Sequence, residues 1–163
     1  MYVDALLALF GSILGNIVTG VNAFASGATV VSPNAIDLAS GGSPTGQVRD
    51  LGEGSAFDIA RVEVTTSFAG GTSVQFVMVS SDDAAGVTNP TIIGASGVIP
   101  TATLVAGYRT AFQINPRLAS KGQRYLTMQA INLGVMTAGA IYGDLGAEIQ
   151  DGQKFYPSGF ALL

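Results

Sequence analysis

The side chains able to do chemistry in this sequence are few, and most are carboxylates. Eleven Asp and Glu stand against seven Lys and Arg in 163 residues, with no His, Cys or Trp. Three carboxylate pairs lie close along the chain: Asp82 with Asp83, Asp50 with Glu53, and Asp144 with Glu148. Paired carboxylates whose pKa values are driven apart can hydrolyse glycosides. Asp82 and Asp83 on a turn are also calcium-type donors, but that ion wants six or more oxygens and no acidic partner is near in sequence. Carbohydrate enzymes usually add Trp platforms, and Trp is absent. The commoner role of such loop carboxylates is to stay in water or to cap backbone N–H groups. Without His and Cys there is no imidazole acid–base pair, no Ser-His-Asp triad, no thiolate and no ordinary zinc site. Ser120 and Lys121 are adjacent on a turn and do not face each other, and no GxSxG turn is present. Gly52-Glu53-Gly54 and Gly70-Gly71 read as turns rather than phosphate cradles. The reading is a protein that is not an enzyme, with no metal and no cofactor.

Binding is the chemistry that remains. Charged residues make up 11 % of the chain, against roughly a quarter in soluble globular domains. A surface so poor in charge must be built largely from Gly, Ala, Ser, Thr and aliphatic side chains, and such surfaces associate. The net charge of −4 argues against nucleic acid as a partner, because phosphate neutralisation needs clustered Lys and Arg. Arg109, Arg117, Lys121 and Arg124 form the one basic cluster, either a solvated loop with two strand ends or a match for an acidic patch on a partner. Near the start, Leu6, Leu7, Phe10, Ile13, Leu14 and Ile17 recur at helical spacing. Gly11 and Gly15 weaken that helix, so residues 1–28 read as an arm, partly helical or extended, that docks on something apolar. The apolar run is interrupted too often to span a membrane, and it lacks the Lys and Arg of a membrane-surface helix. Residues 151–163 read as a C-terminal arm. Its Phe155, Tyr156 and Phe160 either fold back on the chain's own body or anchor it to a neighbour.

The elements between these arms, residues 29–150, read as strands. Ala60, Val62, Val64, Thr66 and Phe68 alternate with Arg61, Glu63, Thr65 and Ser67. Ala69-Gly70-Gly71-Thr72 predicts a hairpin into Ser73–Ser81, whose Val77 and Val79 predict a strand covered on both faces. Thr91–Ala95 and Ala102–Ala106 are short candidates. Tyr108–Ile114, Arg124–Leu133 and Thr137–Ile149 complete the set, the last carrying Gly139, Gly143 and Gly146 as bulges or points of close approach. Seven to nine short strands with frequent turn signals predict an all-β antiparallel sandwich or barrel.

Several segments, in order, resemble a known family. Met1-Tyr2-Val3-Asp4-Ala5-Leu6-Leu7, Ile36-Asp37-Leu38 and Arg49-Asp50-Leu51-Gly52-Glu53-Gly54 are similar to the start of tailed-phage capsid cement proteins. The same holds for Val62-Glu63-Val64-Thr65-Thr66-Ser67-Phe68, for Val79-Ser80-Ser81-Asp82-Asp83-Ala84-Ala85 and for Arg124-Tyr125-Leu126. The resemblance runs from Met1 to about Ile149, and residues 8 to 28 look longer than the family usually has there. It implies a jelly-roll fold and a place on the outer surface of the virion. There a homodimer or trimer would bridge capsomers of the major capsid protein. The rival expectation is a phage carbohydrate- or receptor-binding β-sandwich module.

Overall fold

The computed structural model describes residues 8–14, 17–24, 28–38, 59–114 and 123–146. Twelve strand segments follow one another: β1 (Ala8–Phe10), β2 (Ser12–Leu14), β3 (Ile17–Thr19), β4 (Val21–Asn22), β5 (Thr29–Val31), β6 (Ile36–Asp37), β7 (Ile59–Gly70), β8 (Ser73–Ser81), β9 (Thr91–Pro100), β10 (Arg109–Gln113), β11 (Tyr125–Leu133) and β12 (Met136–Gly146). One sheet runs β1-β12-β7-β10, with β4 sharing the β1 side of β12. The other runs β5-β11-β8-β9, with β6 sharing the β5 side of β11. All pairings are antiparallel. The short segments thus fill eight lanes, four to a sheet, in the strand order of a jelly roll.

Alternation decides which faces meet. Ala60, Val62, Val64 and Phe68 of β7, with Ile141 and Leu145 of β12, point inward from the first sheet. Val74, Phe76 and Met78 of β8, with Leu126, Met128 and Ala130 of β11, point inward from the second. The rings of Phe68 and Phe76 meet edge-on across the gap at 6.4 Å, in a geometry that aromatic quadrupoles favour. Val77 and Val79 are buried on the opposite face of β8, as their sequence pattern predicts.

Three expectations need correction. The described residues among 8–24 are extended, with no helix, and they are not a free arm: β1 and β4 pair with β12 as an edge lane of the sandwich. Gly11 explains part of this, because its φ of +77° suits a turn and a side chain there would strike the Thr19 carbonyl. The Gly70-Gly71 turn does not close a hairpin, since β7 and β8 belong to different sheets. It is an arch between the layers, and Gly134 makes a second arch from β11 to β12. Finally, Thr91–Pro100 is one strand, irregular near Ile93 and near Gly97, and Ala102–Ala106 is no strand: it continues a turn of 3₁₀ helix that opens at Thr101 and ends at Thr103, followed by a loop.

Candidate interaction surface

The register places every charged side chain of the described residues at or above one level of the sandwich. Along β7, β12 and β10 that level is set by Glu63 opposite Arg109, with Arg61 opposite Asp144 above it. In the other sheet the end of β8 carries Asp82 and Asp83, and the start of β11 pairs with Asp37 and follows Arg124. The opposite end is formed by the segments that join β7 to β8, β9 to β10 and β11 to β12, with the described residues that follow β4 and precede β5. No charged residue occurs from Ala5 to Ile36, from Val64 to Ser81, from Ala84 to Tyr108 or from Tyr125 to Gly143. Among the described residues that end is therefore free of charge.

Neutral hydrogen bonds sew the uncharged end together. The Thr72 amide donates to the Leu133 carbonyl at 2.7 Å, and the Thr101 amide donates to the Thr72 carbonyl at 3.1 Å. The Asn132 side-chain amide donates to the carbonyls of Ala23 at 3.3 Å and Ala28 at 3.0 Å. Leu104 accepts from the Phe68 amide, which fixes the loop before β10 against β7. With its backbone groups so engaged, this end turns aliphatic side chains outward. Leu133 is 61 % exposed, Val135 64 % and Val105 54 %. Scattered apolar residues are ordinary on a surface; three on one end with no charge beside them among the described residues are not.

At the charged end the ionic groups are spent on the fold. Asp144 is almost fully buried and accepts from Arg61 Nε at 2.8 Å and Nη2 at 2.5 Å, and from the Tyr142 hydroxyl at 3.1 Å. Burial, and next the Asp144 charge, push the Tyr142 hydroxyl above its ordinary pKa, so the proton it donates is held tightly. Asp83 Oδ1 accepts the backbone amides of Thr88 at 3.0 Å and Val87 at 2.8 Å, which hold its carboxyl below the ordinary value. Asp82 accepts from the Asn89 side chain at 2.6 Å. Backbone capping is thus the role of Asp83, and among the described residues no cluster of three or more acidic, His or Cys side chains could hold a metal ion.

The residues expected to bind a partner fare differently. Phe10 is not available, because it lies fully buried in the core beside Leu9. Its edge-lane position turns the ring inward, where sequence spacing suggested an exposed helix face. Arg109 is exposed and pairs with Glu63 at 3.0 Å. Arg124 grips Asp37 through two 2.7 Å contacts and lies 5.0 Å from the Tyr125 ring. The hydrogen bond with Asp37 raises the Arg124 pKa further above its ordinary value. The two arginines sit on different sheets, each with its own carboxylate, and do not form a patch with each other. Leu6, Leu7, Arg117, Lys121, Phe155, Tyr156 and Phe160 lie outside the described residues.

Sequence reasoning missed Leu133, Val135 and Val105. Their signal was present as long charge-free stretches, but only strand register shows that four of these converge on one end. Residues 21–145 match the sequence profile of the Bbp16 family. The chain belongs to the Bbp16 family. The Bbp16 match opens in β4 and closes in β12, so it takes in both sheets and the whole uncharged end, while β1, β2 and β3 precede it. No curated protein matches the chain.

Proposed function

We propose that this protein is a structural virion component, without enzymatic activity, that decorates and cements an icosahedral phage capsid by bridging capsomers of the major capsid protein. The observation that carries this reading is the charge-free end with Leu133, Val135 and Val105 turned outward. Docking that end strips no ion among the described residues of its water, and the amides of Thr72, Thr101 and Phe68 there already have partners, so the usual desolvation penalties are reduced. Apolar burial contributes roughly 25 cal/mol per Å², offset by the cost of fixing two bodies together. Repetition over equivalent sites on a shell turns a modest affinity into a large gain for the whole particle. The resemblance to phage cement proteins supports the same reading, and so does the employment of Asp83 and Asp144 as braces instead of catalysts.

The test is co-sedimentation with icosahedral particles that lack the protein. Binding should saturate at a fixed ratio of protein to major capsid protein. Absence of binding, or uptake that never saturates, overturns the reading.

A further inference from the structure

Residues 82–90 join β8 to β9, and they do not extend away from the sandwich. They fold back over the outer face of the second sheet. Gly86 marks the contact: a Cβ there would stand 2.6 Å from Thr127 Oγ1 and 3.1 Å from Gln129 Nε2. The Gln129 side-chain amide donates to the Gly86 carbonyl at 3.2 Å. Thr127 pairs with Val79 and Gln129 pairs with Val77, so Gly86 lies over the rows that hold both valines. Those rows show what the segment covers. Val79 is 1 % exposed, whereas Ile92, its partner on β9 and on the same face, is 60 % exposed.

The segment bonds mostly to itself. Asp83 Oδ1 accepts the amides of Val87 and Thr88, and the Asn89 side chain donates to Asp82. The Asp82 amide donates to the Thr88 carbonyl at 3.0 Å, and the Gly86 amide donates to the Asp83 carbonyl at 3.2 Å. Its ties to the sheet come from side chains at three points. Ser81 Oγ donates to the Asp83 carbonyl at 2.7 Å, Gln129 holds Gly86, and the Gln123 side chain donates to the Asn89 carbonyl. Of residues 82–90 Gly86 alone is buried, and Ala84, Ala85 and Val87 are exposed, so the segment sinks no side chain of its own into the sheet. Beneath it the Thr127 hydroxyl is buried without a hydrogen-bond partner, a cost that closure carries and opening removes. Exposed hydrogen bonds and few buried apolar contacts are the marks of a segment that opens ahead of the body it rests on.

We propose that residues 82–90 form a strap that opens as a unit while the sandwich stays folded, uncovering Val77, Val79 and Thr127. Closed, the strap hides the middle of this face and leaves its β9 side in water. Opened, it places Val79 beside Ile92 and Val77 beside Ala95 in one apolar stripe across β8 and β9. The device is independent of the capsid reading, because it lies away from the uncharged end and concerns the free protein.

The chain contains no cysteine, so a single introduced thiol reports only its own exposure. Val79→Cys and Thr127→Cys place reporters beneath the strap on neighbouring strands, and Val74→Cys places one in the core between the sheets. Labelling of the full chain with a water-soluble aromatic disulfide, corrected for intrinsic thiol reactivity, reads the openings. It should run at least about tenfold faster at the two floor positions than at Val74→Cys, because the strap opens more readily than the sandwich unfolds. The two floor reporters should react at one rate, and either suffices for the comparison with Val74→Cys. Low urea should leave their rates nearly flat while the Val74→Cys rate climbs, since strap opening exposes less surface than unfolding. Asp83→Ala, added to Val79→Cys, takes the acceptor from two amides and should speed labelling about fivefold or more. Floor and core reporters that share one rate and one urea slope overturn the proposal. So do floor reporters that differ from each other, or a rate that Asp83→Ala leaves unchanged.

Discussion

The two ends of the sandwich solve opposite problems with the same strands. At one end Arg61, Asp144 and Tyr142, Asp37 with Arg124, and Asp83 with its two amides tie charge to charge or charge to backbone. At the other, Thr72, Leu133, Thr101 and Asn132 do the tying with neutral groups, and aliphatic side chains face outward. Each end is held by hydrogen bonds, but only the neutral one can be covered by a partner without stripping ions of water. Charge among the described residues is thus tied into local architecture, and the end without it is the one that a partner could cover at least cost.

The largest effect should come from placing charge where there is none. Leu133→Asp with Val135→Asp buries two unpaired carboxylates in any contact made by the uncharged end. Capsid affinity should fall at least about 100-fold, roughly 2.7 kcal/mol, with melting unchanged because both side chains are exposed. Glu63→Gln with Arg109→Gln, at the level where charge begins, should leave capsid affinity within about threefold. Equal losses from the two double variants would erase the distinction between the ends.

Next in size is the brace inside the charged end. Asp144→Ala leaves the Arg61 guanidinium, 11 % exposed, without its bidentate partner. Removing one member of a buried pair costs about 3–5 kcal/mol, which lowers the melting temperature by something on the order of 10 °C in a domain of this size. The exposed Glu63–Arg109 pair, treated the same way, should change stability by less than about 1 kcal/mol. A calorimetric scan of each variant decides it.

Much of the sandwich was legible in the sequence. The alternation of Ala60, Val62 and Val64 against Arg61 and Glu63 predicted β7 and its faces, and Val77 with Val79 predicted the double burial of β8. What stayed hidden depends on which sheet a strand joins. Two glycines after a strand look the same whether they close a hairpin or arch between layers, so Gly70-Gly71 was misread. Period and spacing likewise do not tell an amphipathic helix from an edge lane: Phe10 falls on the helically spaced stripe of a docking arm, yet its ring is in the core. The candidate interaction surface was the least legible part. Leu133, Val135 and Val105 are remote in sequence from one another or separated by a turn, and only the pairing of four strands brings them to one end.

The stacked arches give a smaller, second test of the neutral end. Gly134 has φ +89°, and a Cβ there would come within 3.0 Å of the Gly71 backbone. Gly134→Ala therefore pays for a left-handed conformation, about 1–2 kcal/mol, and must also push the arches apart. Urea unfolding should register that loss. If stability is unchanged, the arches are not packed as tightly as the neutral end requires.

The smallest expected effect lies in the loop at the charged end, and its sign is fixed by Asp83. The amides of Thr88 and Val87 bind the ionised carboxylate, so the folded loop holds its pKa below the ordinary 3.8. Between the two values the opened loop binds more protons than the closed one, and acid therefore favours opening. The stabilisation is complete above about pH 4 and fades as pH falls through the lowered folded value. Amide hydrogen exchange of Val87 and Thr88, corrected for its intrinsic pH dependence, should show protection falling as acid is added. Asp83→Asn keeps an acceptor oxygen in place and removes the ionisation, so its protection should be weaker near neutrality and flat in acid. No comparable change should appear at Thr72 or Thr101, whose partners are carbonyls, and a shared acid response at both ends would mean that the loop merely reports global unfolding.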